Sequence, residues 1–145
     1  MDKQTNIQQN NFLGSGWAFP VQFSAGNYQV HTTSGEENVN ENIDIILMTR
    51  LGERAFLPEF GSGLQQFSFK KMEETLKGEI TDMVHNSLLN NEPRITVHDV
   101  SVQFTDMFSG LVEILIVYSI NQTNTRHNHV YPFYLKEGTN IPRLV

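Results

Sequence analysis

The sequence contains no cysteine, a single tryptophan and five prolines in 145 residues. Without cysteine, neither disulfide staples nor thiolate metal sites are available, so the fold must rest on its packed core. Basic residues are also scarce: ten Lys and Arg stand against sixteen Asp and Glu, a formal net charge of −6. Binding a phosphate backbone needs a basic surface, and here only Lys70 and Lys71 are adjacent, so nucleic acid is not an expected partner. Long apolar runs are missing as well. The most apolar stretch, residues 111–120, is too short for a spanning helix and carries Glu113, so no membrane partner is expected. The start of the chain, residues 1–11, is polar and rich in Gln and Asn, with no apolar signal-peptide core. These absences suit a soluble protein that folds in a reducing cytosol.

What is present fits one small domain with a two-layer core: 39% of residues are hydrophobic and the mean hydropathy is −0.33. Residues 1–11 are expected to form a flexible arm and residues 12–145 a single domain. The segment 12–23 carries large apolar anchors among glycines, and residues 28–32 are expected to be a short strand after an Ala25-Gly26-Asn27 turn. Ser34 and Glu37 then form an S-x-x-E capping box. Behind it Val39, Ile43, Ile46, Leu47 and Arg50 repeat at helical spacing, and Gly52 is placed to end that helix in a left-handed conformation. Residues 53–68 mix Phe56, Phe60, Leu64 and Phe67 with Pro58, Gly61 and Gly63, which suggests a loop packed tightly on the core.

A second helix is expected from about Met72 to Asn90, with Met72, Leu76, Ile80, Met83, Val84, Ser87 and Leu88 on one face, about 30 Å long at about 1.5 Å per residue. Pro93 ends it, because the residue before a proline avoids helical angles. Beyond it the period changes to two. Ile95 to Phe104, Leu111 to Ile120 and Asn128 to Leu135 alternate as three antiparallel strands with polar turns between them. The expected fold class is therefore α+β, with two main helices packed on an antiparallel β-meander.

Catalytic constellations are weak throughout. His127 and His129 share a strand face, but no third ligand lies at a suitable spacing. His31, His85 and His98 are single surface histidines. The pairs Glu36-Glu37 and Glu73-Glu74 fall at helix N-termini, where the macrodipole accounts for them. No phosphate-binding glycine fingerprint and no G-x-S-x-G elbow is present, so neither an enzyme nor any cofactor is expected. Two features stand out instead. Glu92-Pro93-Arg94 forms a stiff corner between helix and strand. From composition it reads either as a helix stop with a local ion pair or as a rigid site offering Arg94 to a partner's carboxylates. The final strand contains Pro132 among Tyr131, Phe133 and Tyr134; proline cannot donate to a ladder, so this strand belongs at a sheet edge, covered or offered to another chain.

Five stretches occur in order: residues 12–20 (FLGSGWAFP), 49–54 (TRLGER), 58–64 (PEFGSGL), 92–95 (EPRI) and 123–135 (TNTRHNHVYPFYL). Together they resemble the baseplate wedge and sheath-initiator family of contractile tails, over roughly residues 12–135. Relatives serve phage baseplates, antifeeding-prophage-like particles and, as TssE-like proteins, type VI secretion systems; some have carried a lysozyme-like label. Leu51 and Ala55 depart from residues that are often proline and valine in the family. The resemblance implies that Glu92, Pro93 and Arg94 engage the helical core bundle of the wedge, which favours the docking alternative for that corner. It also implies a sheath-handshake-like sheet, in which Asn128, Val130, Tyr131, Phe133 and Tyr134 accept a strand from the first sheath ring. The implied partners are baseplate wedge proteins, sheath subunits and the inner tube or hub, in a sixfold assembly put together in the cytoplasm. The alternative carried by the old label is a peptidoglycan hydrolase of the baseplate.

Overall fold

The computed structural model describes residues 14–136; the arm expected at residues 1–11 lies outside them. The chain divides into two compact units, Met1–Ile45 and Ile46–Val145, and its secondary structure is of the mixed α+β kind.

In the first unit β1 (Ser15–Trp17) and β2 (Thr32–Ser34) form a short antiparallel ladder with Gly16 opposite Thr33. The strand expected at residues 28–32 is displaced. Tyr28 has φ +55° and is 82% exposed, and Val30 makes only an isolated bridge to Phe23. The polar residues 24–29 close on themselves, with the Ser24 N–H bonded to the Gln29 carbonyl at 2.9 Å, so pairing begins only at the β-branched Thr32 and Thr33. Helix α1 (Gly35–Met48) starts directly after Ser34 with Glu36 and Glu37 in its first turn, where carboxylates meet the positive end of the dipole. The Thr33 hydroxyl donates to Glu41, whose other oxygen accepts the Phe19 N–H at 3.2 Å. Gly16 is needed for this approach: a Cβ there would lie 2.8 Å from Asn38 Nδ2.

The second unit opens with the end of α1, whose stripe Ile46 and Leu47 is buried. The helix stops at Met48, before Gly52. Its last carbonyls are taken by side chains, Ser62 Oγ to Leu47 O at 2.9 Å and Gln65 Nε2 to Met48 O at 3.0 Å, which satisfies acceptors that a helix end leaves open. Gly52 does take a left-handed φ of +82°, but in the loop, where its N–H bonds Pro58 O at 2.8 Å. The loop aromatics split. Leu64 and Phe67, in a 3-10 turn (Leu64–Phe67), are buried, whereas Phe56 is 99% exposed.

Helix α2 (Glu74–Asn91) buries Leu76, Ile80, Val84, Ser87 and Leu88 of the stripe read from the sequence, with Met83 half-buried and Met72 falling before the helix, and packs on the adjoining strand. The sheet is an antiparallel meander in the order β3 (Ile95–Asp106), β4 (Leu111–Ile120), β5 (Thr125–Tyr134). On β4 the expected alternation holds: Val112, Ile114, Ile116, Tyr118 and Ile120 are buried. On β3 it breaks. Val97 pairs with Tyr118 and Asp99 with Val117, so His98 is an extra residue in a bulge. The bulge shifts the phase by one, which is why Ile95 is buried on one side of it and Val100 and Val102 on the other. Strand β5 begins earlier than expected because Asn124, at φ +51°, closes a tight turn in which its N–H bonds Ile120 O at 2.8 Å.

Gly61 has φ +115°, and a Cβ on it would run into the Thr49 carbonyl. Gly61→Ala is therefore expected to destabilise the chain by about 2 kcal/mol or more, read as a lower midpoint in urea. An unchanged midpoint would show that the Thr49–Gly61 approach is not required.

Candidate docking site

The corner begins where α2 runs out. Glu92 leaves helical angles at φ −128°, ψ 84°, as the residue before a proline must, while its N–H still bonds Leu88 O at 2.9 Å. Turned inward, Glu92 is 4% exposed. A carboxylate that far from water is costly unless it is paired, and Arg94 supplies the pairing. Arg94 Nε lies 2.7 Å from Oε1 and Nη2 lies 2.8 Å from Oε2, two parallel charge-assisted bonds that match the fork of the guanidinium to the carboxylate. The hydrogen bond to Glu92, and then its charge, hold the Arg94 pKa above the usual arginine value against the downward pull of burial. Of the two alternatives read for the corner, the local ion pair is formed. Two of the Arg94 nitrogens are committed within the chain, and the corner is a preset plate with Pro93 exposed at its tip.

The plate is braced from two sides. Asn91 Nδ2 bonds Gly61 O at 3.2 Å and Ser87 O at 2.8 Å, tying the helix end to the preceding loop. Asn121, in the turn between β4 and β5, donates its N–H to Arg94 O at 2.9 Å and its Nδ2 to Pro93 O at 3.2 Å. Its Oδ1 accepts from the Thr96 hydroxyl at 2.5 Å. Sequence reasoning missed Asn121, because an asparagine in an Asn/Gln/Thr-rich turn looks like ordinary turn chemistry. The one available signal was that a meander returns this turn to the start of its first strand.

The second surface is β5, the outermost strand of the three; among the described residues no strand lies beyond it. The Leu135 N–H bonds Gly110 O at 2.9 Å, so odd-numbered main-chain groups face β4 and even-numbered ones face away. Pro132 sits on the outward set, where a missing N–H costs the ladder nothing. The strand residues named from the sequence divide accordingly. Asn128 and Val130 are exposed, paired across β4 with Val117 and Leu115, and their main-chain groups point outward. Tyr131 and Phe133, at 1% and 0% exposure, place their side chains in the core, and Tyr134 is half-buried. The corner and the β5 strand meet at one end only: Ile120 pairs with Thr125, one residue from Asn121, whereas Tyr134 pairs with Leu111 at the far end of the sheet.

Two of the histidines are engaged locally. His127 lies 5.7 Å from the Tyr118 ring and shares a 2.8 Å hydrogen bond with Thr125, and His98 shares one of 2.9 Å with Ser119. Among the described residues no group of three or more His, Cys, Asp or Glu could hold a metal ion, and no helix is long and apolar enough to cross a membrane.

The family profile of baseplate wedge protein gp25 matches residues 33–125, a span that includes the whole corner and Asn121. Among solved structures, a Geobacter sulfurreducens protein provisionally described as a tail lysozyme is similar at a TM-score of 0.67 and 42% identity, over 72% of this chain and 95% of that one. A chain of the 6-fold symmetrised anti-feeding prophage baseplate matches at a TM-score of 0.62 and 25% identity, over 87% of this chain and 89% of that one. A chain of the postcontracted pyocin R2 baseplate matches at 0.55 and 26% identity, over 70% and 98%. No curated protein matches in sequence at a significant level.

Removing the Arg94 side chain leaves the buried Glu92 carboxylate without its fork. Arg94→Ala is expected to cost about 3 kcal/mol of stability, and Glu92→Leu/Arg94→Met to recover most of it, measured by urea unfolding of the three proteins. Equal losses in the single and the double variants would contradict the pairing.

Proposed function

The chain belongs to the baseplate wedge protein gp25 family, and on that footing we propose that it joins the wedge core of a contractile injection system to the first ring of its sheath. It is a baseplate component of phage-tail-like contractile particles. The corner Glu92-Pro93-Arg94 docks on the helical bundle of the wedge proteins. Strand β5 receives a strand from a sheath subunit along Asn128 and Val130, with the inner tube or hub as a further neighbour. Particles are assembled in the cytoplasm, with the sixfold symmetry of the related anti-feeding prophage baseplate.

The observation that carries the sheath step is the pair of outward-facing residues on an outermost strand. In strand addition the main chain supplies affinity, while side chains at alternate positions fix register. Tyr131 and Phe133 contribute from behind: their burial holds β5 against β4, so the outward groups arrive already extended and less entropy is lost on docking. The corner works by the same principle, since its ion pair and two braces are formed before any partner arrives.

The role is structural. The hydrolase alternative rests on the description of the Geobacter protein, and no observation of this chain favours it. Its adjacent carboxylates Glu36 and Glu37 lie in the first turn of α1, and Glu73 and Glu74 flank the start of α2. Purified chain is expected to leave a peptidoglycan zymogram uncleared; a cleared band at its mass would restore the hydrolase.

Val130→Pro tests the sheath step directly. It deletes one outward N–H, as Pro132 already does two residues along, and leaves the bonds to β4 in place. The expected result is a folded chain by circular dichroism, present in baseplates at normal copy, with sheath polymerisation on those baseplates reduced by at least tenfold. Normal sheath on such baseplates would remove β5 from the mechanism.

A further inference from the structure

The corner and the β4–β5 turn are separated by more than twenty residues in sequence, yet Asn121 joins them through its main chain and its side chain. Its N–H holds Arg94 O, its Nδ2 holds Pro93 O, and its Oδ1 takes the Thr96 hydroxyl. These contacts span the peptide units on both sides of the ion pair, from the proline to the second residue of β3. The Glu92–Arg94 fork fixes the side chains relative to each other, but it does not fix the Pro93 tip. The three-residue link between helix and strand, Glu92 to Arg94, keeps freedom in ψ at Pro93 and Arg94 unless the carbonyls are held.

We propose that Asn121 is the positioning residue of the docking corner. By holding the Pro93 and Arg94 carbonyls it sets the tip and the guanidinium plate in one fixed orientation for the wedge bundle. This deepens the docking assignment of Glu92-Pro93-Arg94 and rests on it. The same contacts make the corner and the hairpin tip one continuous element, because Asn121 is followed within four residues by the first pair of β5, Ile120 with Thr125. A partner seated on the corner therefore meets the turn residues Gln122 and Thr123, both exposed, at the edge of its footprint. Asparagine suits the position chemically, since it offers a donor and an acceptor on one short planar group. Aspartate would set a carboxylate against the Pro93 carbonyl, and serine is too short to reach both partners.

The test compares the affinity of the full chain for the purified wedge proteins of its own particle across four variants. Asn121→Ala loses both side-chain bonds and is expected to bind about tenfold more weakly, the effect of one to two hydrogen bonds no longer preset before docking. Val112→Ala, a buried site at the far end of the same sheet, is expected to lower the melting temperature by as much or more and to bind as wild type. Asn121→Asp is expected to bind no better than the alanine variant. Wild-type affinity for Asn121→Ala, or an equal loss for Val112→Ala, overturns the assignment, since a merely structural contribution would track stability. The Glu92→Leu/Arg94→Met chain separates the two levels. If it binds like wild type, the corner is not the docking site and the parent assignment fails. If it loses binding while Asn121→Ala keeps it, only the role of Asn121 fails.

Discussion

The structure turns on a carboxylate taken out of water at the end of a helix. Glu92 is buried because Pro93 stops α2 there and directs the chain into β3, and it is tolerated because Arg94 returns a bidentate fork two residues later. Replacing a buried pair by apolar residues is often neutral for stability, so the pair is better understood as a means of fixing shape than as a source of stability. A guanidinium held flat against a carboxylate, beside a proline with its ring in solvent, has one geometry to present. The braces from Asn91 and Asn121 extend that rigidity into the loop before α2 and the turn after β4.

That arrangement explains how a chain with little catalytic equipment has strongly marked features. An assembly component gains from surfaces whose entropy is already lost before the partner arrives. In the proposed docking, the corner would contribute this through charge and proline, and β5 through a buried tyrosine and phenylalanine that hold the strand from within while its outward main-chain groups remain extended. The exposed Phe56 and the exposed Val130 lie outside this economy of burial, on surfaces the monomer does not cover with its described residues.

The parts of the fold legible in the sequence were those set by local periodicity. The α2 stripe, the alternation along β4 and the stop at Pro93 follow from spacing alone, and the α+β class follows from them. What escaped was set by contacts distant in sequence. The bulge at His98 reverses the phase of β3, and nothing in the residues 95–104 announces it. The strand near Tyr28 shifts because a polar loop closes on itself, and Phe56 is exposed although its neighbours Leu64 and Phe67 are buried. At the site, Glu92, Pro93 and Arg94 were visible as a motif, but composition alone left the arginine either paired locally or turned to a partner, because the burial of Glu92 is a tertiary fact. Asn121 was hidden for the same reason: its partners lie on the other side of β4.

The most direct test of the account is a side-chain-resolution cryo-EM map of the assembled baseplate that contains this chain. The expected map shows the Glu92–Arg94 fork intact beneath wedge helices seated on Pro93, and a strand of a sheath subunit running along Asn128 and Val130. A map in which that corner faces solvent, with β5 bordered by no foreign strand, would contradict it.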